Sequence, residues 1–210
     1  MNPSDKKPDA GKRKRYVERL AALKQERSSW DAHWRELSEQ IEPRRSRFLL
    51  SDANKGQKRN QKIINNTPIR AKATLAAGMQ AGLTNQSRPW FRLTAPSPEL
   101  AEVSAVKEWL HTVETRLREI MARSNIYNAF HMLYGDVATF GTALLYIEED
   151  PEDVIRCWVF PVGSYCLALD SRGRVSTVFR ETSMTVSQLV EEFGIENCSE
   201  MVQTLSKTAG

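Results

Sequence analysis

Apolar residues near the start of the chain recur at alternating steps of four and three: Tyr16, Leu20, Leu23, Trp30, Trp34, Leu37 and Ile41, with Arg27 at the one polar place on the stripe. That period is helical, and nothing breaks it before Pro43, so the pattern predicts one long amphipathic helix over about 12–42. Two tryptophans and an arginine on the seam fit a dimeric zipper poorly. The Trp30/Trp34 face is therefore expected to pack on another helix of the same chain, around 103–121 or 71–83. Thr67-Pro68 has the form of a helix start, with proline in the first turn where its missing N–H costs nothing. The helix it opens, about 66–84, is rich in Ala and Gly up to Leu83, and such small side chains predict a helix buried in a packed assembly.

Ser87-Arg88-Pro89-Trp90-Phe91-Arg92-Leu93 interrupts the helices. Two adjacent large rings beside a proline are costly to leave in water, so both are expected to pack. Pro98-Glu99 then starts a helix over about 98–122, with Val103, Val106, Leu110, Val113, Leu117 and Ile120 on one face. Ser124 or Asn125 caps the next, about 125–139. Past Gly141 the period changes to that of strands: 143–147, 154–160, 165–169 and 175–180, the last two joined by Asp170-Ser171-Arg172-Gly173. A short helix follows over 185–193, stopped by Gly194, and 196–210 is polar with weak periodicity. The expected fold is α+β: helices through the first two thirds, then a small, mostly antiparallel sheet over about 142–180. Residues 1–11 read as a disordered basic tail, 12–195 as one domain and 196–210 as a weakly ordered end.

Composition adds little to this and charge adds more. With 40% hydrophobic and 27% charged residues in 210, the chain is that of an ordinary folded protein. No run is long enough for a membrane-spanning helix, and the polar, basic start has no apolar stretch of a secretory signal, so a cytoplasmic compartment is expected. The net charge of +4 conceals a division: residues 1–98 carry 21 Lys and Arg against 9 Asp and Glu, and residues 99–210 carry 9 against 17. That asymmetry points either to a polyanion or to complementary contact between subunits. The basic stretch holding Arg44, Arg45, Arg47, Lys55, Lys58 and Arg59 reads as an exposed loop that would make such a contact.

A search for chemistry returns nothing positive. The chain has no phosphate-binding Gly-rich loop, dinucleotide fingerprint, zinc-protease pair or nucleophile elbow. Ser104-Ala105-Val106-Lys107 matches a Ser-x-x-Lys pattern on an amphipathic helix, where chance explains it. Glu148, Glu149, Asp150, Glu152 and Asp153 lack the spacing of a calcium loop and read as a solvated turn. Cys157, Cys166 and Cys198 are odd in number, with no paired spacing for zinc or a disulfide framework. His33 and His131 show no catalytic partner in sequence. Neither an enzyme nor a cofactor is expected.

The order of the parts says more. Arg27, Trp30, Trp34, Ile41 and Pro43 come first, then the small-residue helix running into Ser87-Arg88-Pro89-Trp90-Phe91-Arg92-Leu93. Ser124-Asn125-Ile126-Tyr127 precedes Asp136-Val137-Ala138-Thr139-Phe140-Gly141-Thr142-Ala143-Leu144-Leu145. Phe160-Pro161-Val162-Gly163-Ser164-Tyr165, Asp170-Ser171-Arg172-Gly173-Arg174-Val175 and Phe179-Arg180 follow. Over about 15–195 this succession resembles the N-terminal part of the portal, or head-to-tail connector, proteins of short-tailed bacteriophages.

The resemblance implies a homo-oligomeric ring of about twelve copies at one vertex of the virion, assembled in the host cytoplasm. DNA passes through its channel during packaging and ejection. Capsid and scaffolding proteins, terminase and tail proteins are its partners, without a membrane, a cofactor or a catalytic residue. Trp30, Trp34, Pro43, Pro89, Trp90, Phe91, Phe140, Gly141, Pro161, Gly173 and Arg180 are its markers, in packing roles, and residues 12–195 correspond to a wing-like domain. Portal proteins are usually much longer, so the chain reads as a truncated one that lacks the channel-lining part. Two other readings compete: a basic nucleic-acid-binding module using Lys6–Arg15 and Arg44–Arg59, and a coiled-coil scaffold built on Tyr16–Ile41.

Overall fold

A computed structural model describes residues 10–45, 58 and 61–208. Helices α1 (Ala10–Ile41), α2 (Thr67–Leu83), α3 (Pro98–Glu102), α4 (Ser104–Arg123) and α5 (Ile126–Phe140) precede strands β1 (Leu144–Asp150), β2 (Val154–Phe160), β3 (Tyr165–Leu169) and β4 (Val175–Arg180). Helices α6 (Val186–Phe193) and α7 (Glu200–Thr208) follow. The class is α+β, as the periodicity predicts. The chain divides into two compact bodies: one is Trp30–Gly163, the other combines the chain up to Ser29 with everything from Ser164 on.

The Trp30–Gly163 body is built on α2 packed against α5. Ala76 of α2 is buried, and Gly135 of α5 lies so close beneath Lys72 that an added Cβ would meet its Cε at 2.8 Å. The other small residues of α2 face outward: Gly78 and Gly82 have nothing within 4 Å of where a Cβ would stand, and Leu75 and Leu83 are half exposed. Within this chain, then, the small-residue helix is buried along one line only, not on all sides.

The single helix expected over 98–122 is broken at Val103, which is extended and accepts the first helical bonds of α4 from Val106 and Lys107. Two residues that lose χ1 freedom or compete for backbone bonds, Val103 and Ser104, meet there, and a helix is least favoured at such a junction. Below α5 lies the β1–β2 hairpin. Ile126 and Ala129 pack on Cys157, flanked by Met121, Phe130, Leu145, Ile155 and Val159. The α5 helix ends on Gly141, whose φ of 74° is a left-handed cap that a side chain would strain.

In the second body the early turns of α1 lie on the β3–β4 hairpin. Leu20 and Leu23 pack on Cys166, Ala168 and Phe179, with the Tyr16 ring edge-on to Phe179. Lys24 pairs with Glu181 at 2.5 Å, and Arg27 donates to the Tyr165 carbonyl at 2.6 Å. The Asp170 carboxylate closes the β3–β4 turn by accepting from the Arg172 and Arg174 amides, with Gly173 at φ 73°. Thr185 and Gln188 form a reciprocal capping box at the start of α6.

Two expectations need correction. The strands form two separate two-stranded antiparallel sheets, β1–β2 and β3–β4, in place of one sheet over 142–180. Pro161, which has no N–H to carry a ladder onward, and Gly163, at φ 93°, stand between them. The stretch read as weakly periodic contains α7, although Met201 and Leu205 on it stay largely exposed.

Candidate functional site

Where α1 ends, Pro43 turns the chain and Arg45 closes the turn by donating its amide to the Glu42 carbonyl at 3.3 Å. The Arg45 guanidinium grips Asp136 of α5 with two parallel bonds of 2.8 and 2.9 Å, and reaches the Val159 carbonyl of β2 at 3.5 Å. Lys72 of α2 pairs with Glu42 alongside. Asp136 is 1% exposed, and burial pushes its carboxyl above the ordinary range against the opposing pull of Arg45. A fork-to-fork Arg–carboxylate pair is directional as well as strong, so this cluster fixes the turn after α1 on α5 and β2. Arg45, read from the sequence with the exposed basic loop, is thus spent inside its own body. Arg44 and Lys58 are exposed, whereas Arg47, Lys55 and Arg59 lie outside the described residues.

On the other side of α5 an aromatic wall is assembled. Trp90 meets Phe91 edge-on at 4.9 Å and Phe130 at 5.9 Å, and Tyr127, Phe130 and Tyr134 continue it along one face of α5. The polar tips of these rings are satisfied: Trp90 Nε1 donates to Tyr127 Oη at 3.3 Å, and Tyr134 Oη shares a bond with the Thr84 hydroxyl at 3.1 Å. Gln80 of α2 donates to the Tyr127 carbonyl. Residues 90–95, which belong to no helix or strand, run beside α4. An open groove of about 850 Å³ lies along that run, with Leu110, His111, Glu114 and Arg118 of α4 opposite Phe91 to Ala95. The Leu93 amide is tied to the Glu114 carboxylate at 3.2 Å, which sets the segment's facing.

Asn125 does something the sequence did not disclose. Its side-chain amide donates to the Cys157 carbonyl and accepts from the Cys157 amide, both at 2.8 Å, as a neighbouring strand would. The edge of β2 is thereby closed at the start of α5. Cys157 is buried, and that burial raises its thiol above the usual range, leaving it a packed, protonated side chain.

The remaining marker residues do not converge. Trp34 donates its indole N–H to the Phe140 carbonyl at 3.2 Å, while Trp30 stacks on Trp34 at 6.1 Å and stays 56% exposed. Trp34 thus ties the tryptophan face to the end of α5. Pro89 is exposed and Pro161 half-buried beside the β2 end, while Gly173 and Arg180 belong to the other hairpin. Asp136 was missed as a site residue. Its signal was a lone acid inside the apolar face of a helix, which demands a buried partner. Among the described residues, no three His, Cys, Asp or Glu side chains gather as a metal site would require, and no helix is long and apolar enough to cross a membrane.

Comparison with known proteins gives the setting. The family model described as bacteriophage head to tail connecting protein matches residues 13–210. A portal protein of Salmonella phage epsilon15 is 44% identical over 191 residues, covering 91% of this chain and 34% of the relative. A probable portal protein of Bordetella phage BPP-1 is 45% identical over 193 residues, covering 92% and 35%. The chain spans about a third of the length of these relatives.

Proposed function

This chain belongs to the family of bacteriophage head to tail connecting proteins, and from that premise we propose that it serves as a structural, non-catalytic part of a portal subunit. In this reading the residues form a wing-like body of a ring of about twelve copies at the portal vertex of the virion. DNA passes through the ring's channel; shell and scaffolding proteins, terminase and tail proteins meet the ring, which assembles in the host cytoplasm. The observation that carries the reading is the match over residues 13–210, joined by two relatives at 44% and 45% identity named as portal proteins. The charge division supports it, since a head-to-tail ring needs two different and complementary faces on one chain.

The test is genetic. In the epsilon15 portal gene, the third that matches this chain is replaced by it, and the hybrid is asked to restore plaques to a phage lacking its own portal. DNA-filled heads and plaques are expected. Heads that never fill, with hybrid protein present at normal levels, overturn the proposal.

A further inference from the structure

We infer that the aromatic face of the β1–β2 hairpin turned away from α5 is a docking surface, and that it receives Lys12, Arg15 and Arg19 at the start of α1 of a neighbouring copy. This rests on the ring reading above only for the presence of a neighbour.

Strand alternation divides the side chains of the hairpin between two faces. Leu145, Ile155, Cys157 and Val159 belong to the face on α5, where Cys157 packs on Ile126 and Ala129. The opposite face carries Tyr146, Glu148 and Asp150 of β1 across from Trp158, Arg156 and Val154 of β2. Tyr146 and Trp158 are direct partners across the ladder, and they are 49% and 46% exposed. Neither ring is loose. Tyr146 stacks on buried Phe160 at 6.1 Å, and the Trp158 indole N–H donates to the Glu148 carboxylate. Two held, half-exposed rings with a carboxylate at their rim are a surface that receives cations.

The charge of this face and its turn is negative and only partly spent. Asp150 is paired with Arg156 at 2.8 Å, but Glu152 and Asp153 just beyond it enter no ion pair among the described residues. Glu148, Asp150, Glu152 and Asp153 together stand against Arg156.

Charge selects the occupant. Lys12, Arg15 and Arg19 follow one another at steps of three and four, so they share one stripe of α1. All three are exposed and enter no ion pair among the described residues, while Glu18 is engaged by Lys14 at 3.9 Å. Like charges three and four residues apart repel along a helix, and the first turn of α1 holds no acid to relieve them. Lys12 to Arg19 spans about 10 Å of helix axis. From Trp158 to Val154 at the turn the hairpin offers about 13 Å of strand. Stripe and face are thus opposite in sign and matched in length. Each copy carries both, so the contact is heterologous and repeats head to tail.

The experiment measures self-association of the 210-residue chain by sedimentation velocity at low salt, with circular dichroism confirming that each variant is folded. One variant combines Arg15→Glu with Arg19→Glu, and the other combines Glu152→Lys with Asp153→Lys. Each is expected to weaken association at least about tenfold, through like charges facing across the contact. An equimolar mixture of the two regains the unsubstituted affinity, because every stripe then meets a face of opposite charge on the other variant. Trp158→Ala weakens association about fivefold, whereas Trp158→Phe, which keeps a ring, weakens it less. The docking is overturned if the charge variants associate as before, if their mixture stays as weak as its components, or if the unsubstituted chain remains monomeric. It is also overturned if a short DNA duplex binds through Arg15 and Arg19 while self-association ignores Glu152, Asp153 and Trp158. Plaques from the hybrid phage combined with charge-indifferent association reject this docking and leave the ring reading standing. Charge-rescued association without plaques does the reverse.

Discussion

Replacing Asp136 with Ala removes the carboxylate that the Arg45 guanidinium grips with two bonds, in a place where the Asp136 side chain is 1% and the Arg45 side chain 20% exposed. Breaking a buried pair from one side typically costs about 3–5 kcal/mol, because the surviving charge is left unpaired. Arg45 keeps the Val159 carbonyl and a path to water, so the lower end, about 3 kcal/mol, is expected here. Asp136→Asn retains the shape and one acceptor and should cost less. The pH dependence decides which force wins at the site. Burial raises the Asp136 carboxyl in the folded chain above its ordinary value near 3.8. The folded state therefore holds its proton at pH values where the unfolded chain has released it. Stability from this group is complete below that ordinary value and falls as pH rises through the folded one. The Asn side chain does not titrate, so the stability gap between the native chain and Asp136→Asn should narrow from about pH 3.5 to about pH 7. Urea titrations of both proteins, followed by circular dichroism at intervals across that range, measure the gap, and other carboxylates cancel in the difference. A gap that widens with pH would show that the pull of Arg45 outweighs burial, and would refute the reasoning.

Three further outcomes follow from the geometry. Trp34→Ala should cost about 3 kcal/mol in a denaturant titration, and Trp30→Ala about 1 kcal/mol or less, since only the first indole is tied to the end of α5 while the second is more than half exposed. Asn125→Ala should cost about 2–3 kcal/mol, because both backbone groups of buried Cys157 lose their partner, and Asn125→Asp should restore only the acceptor half of the loss. Val154→Gly should stabilise the chain by roughly 0.5–1 kcal/mol, seen as a higher midpoint in urea, because Val154 closes the β1–β2 turn at φ 71°, where a β-branched residue is strained.

The helices were legible because their information is local. Steps of four and three along Tyr16–Ile41 and Val106–Ile120, and the glycines after Phe140 and Phe193, mark elements whose bonds lie within a few residues. What could not be read depends on residues far apart. Arg45 and Asp136 are 91 positions apart, and no periodicity links a turn after one helix to the face of another. Arg45 consequently looked like one more cation of a basic loop. Asn125 was legible as a helix start but not as a clamp on β2, since its partner lies 32 residues on and its chemistry imitates a strand. Splitting one expected sheet into two hairpins is decided at Pro161–Gly163, where proline and a positive φ end the ladder. Trp90 fared best: its surface alone predicts packing, and Phe130 and Tyr127 receive it, with Phe91 edge-on to it.

The account stands most directly on one mass. The hybrid in which this chain takes the place of the matching third of the epsilon15 portal protein, purified without other phage proteins, is weighed by native mass spectrometry and imaged by cryo-microscopy. The account predicts closed rings of about twelve copies. A folded hybrid that remains monomeric at every concentration would contradict it.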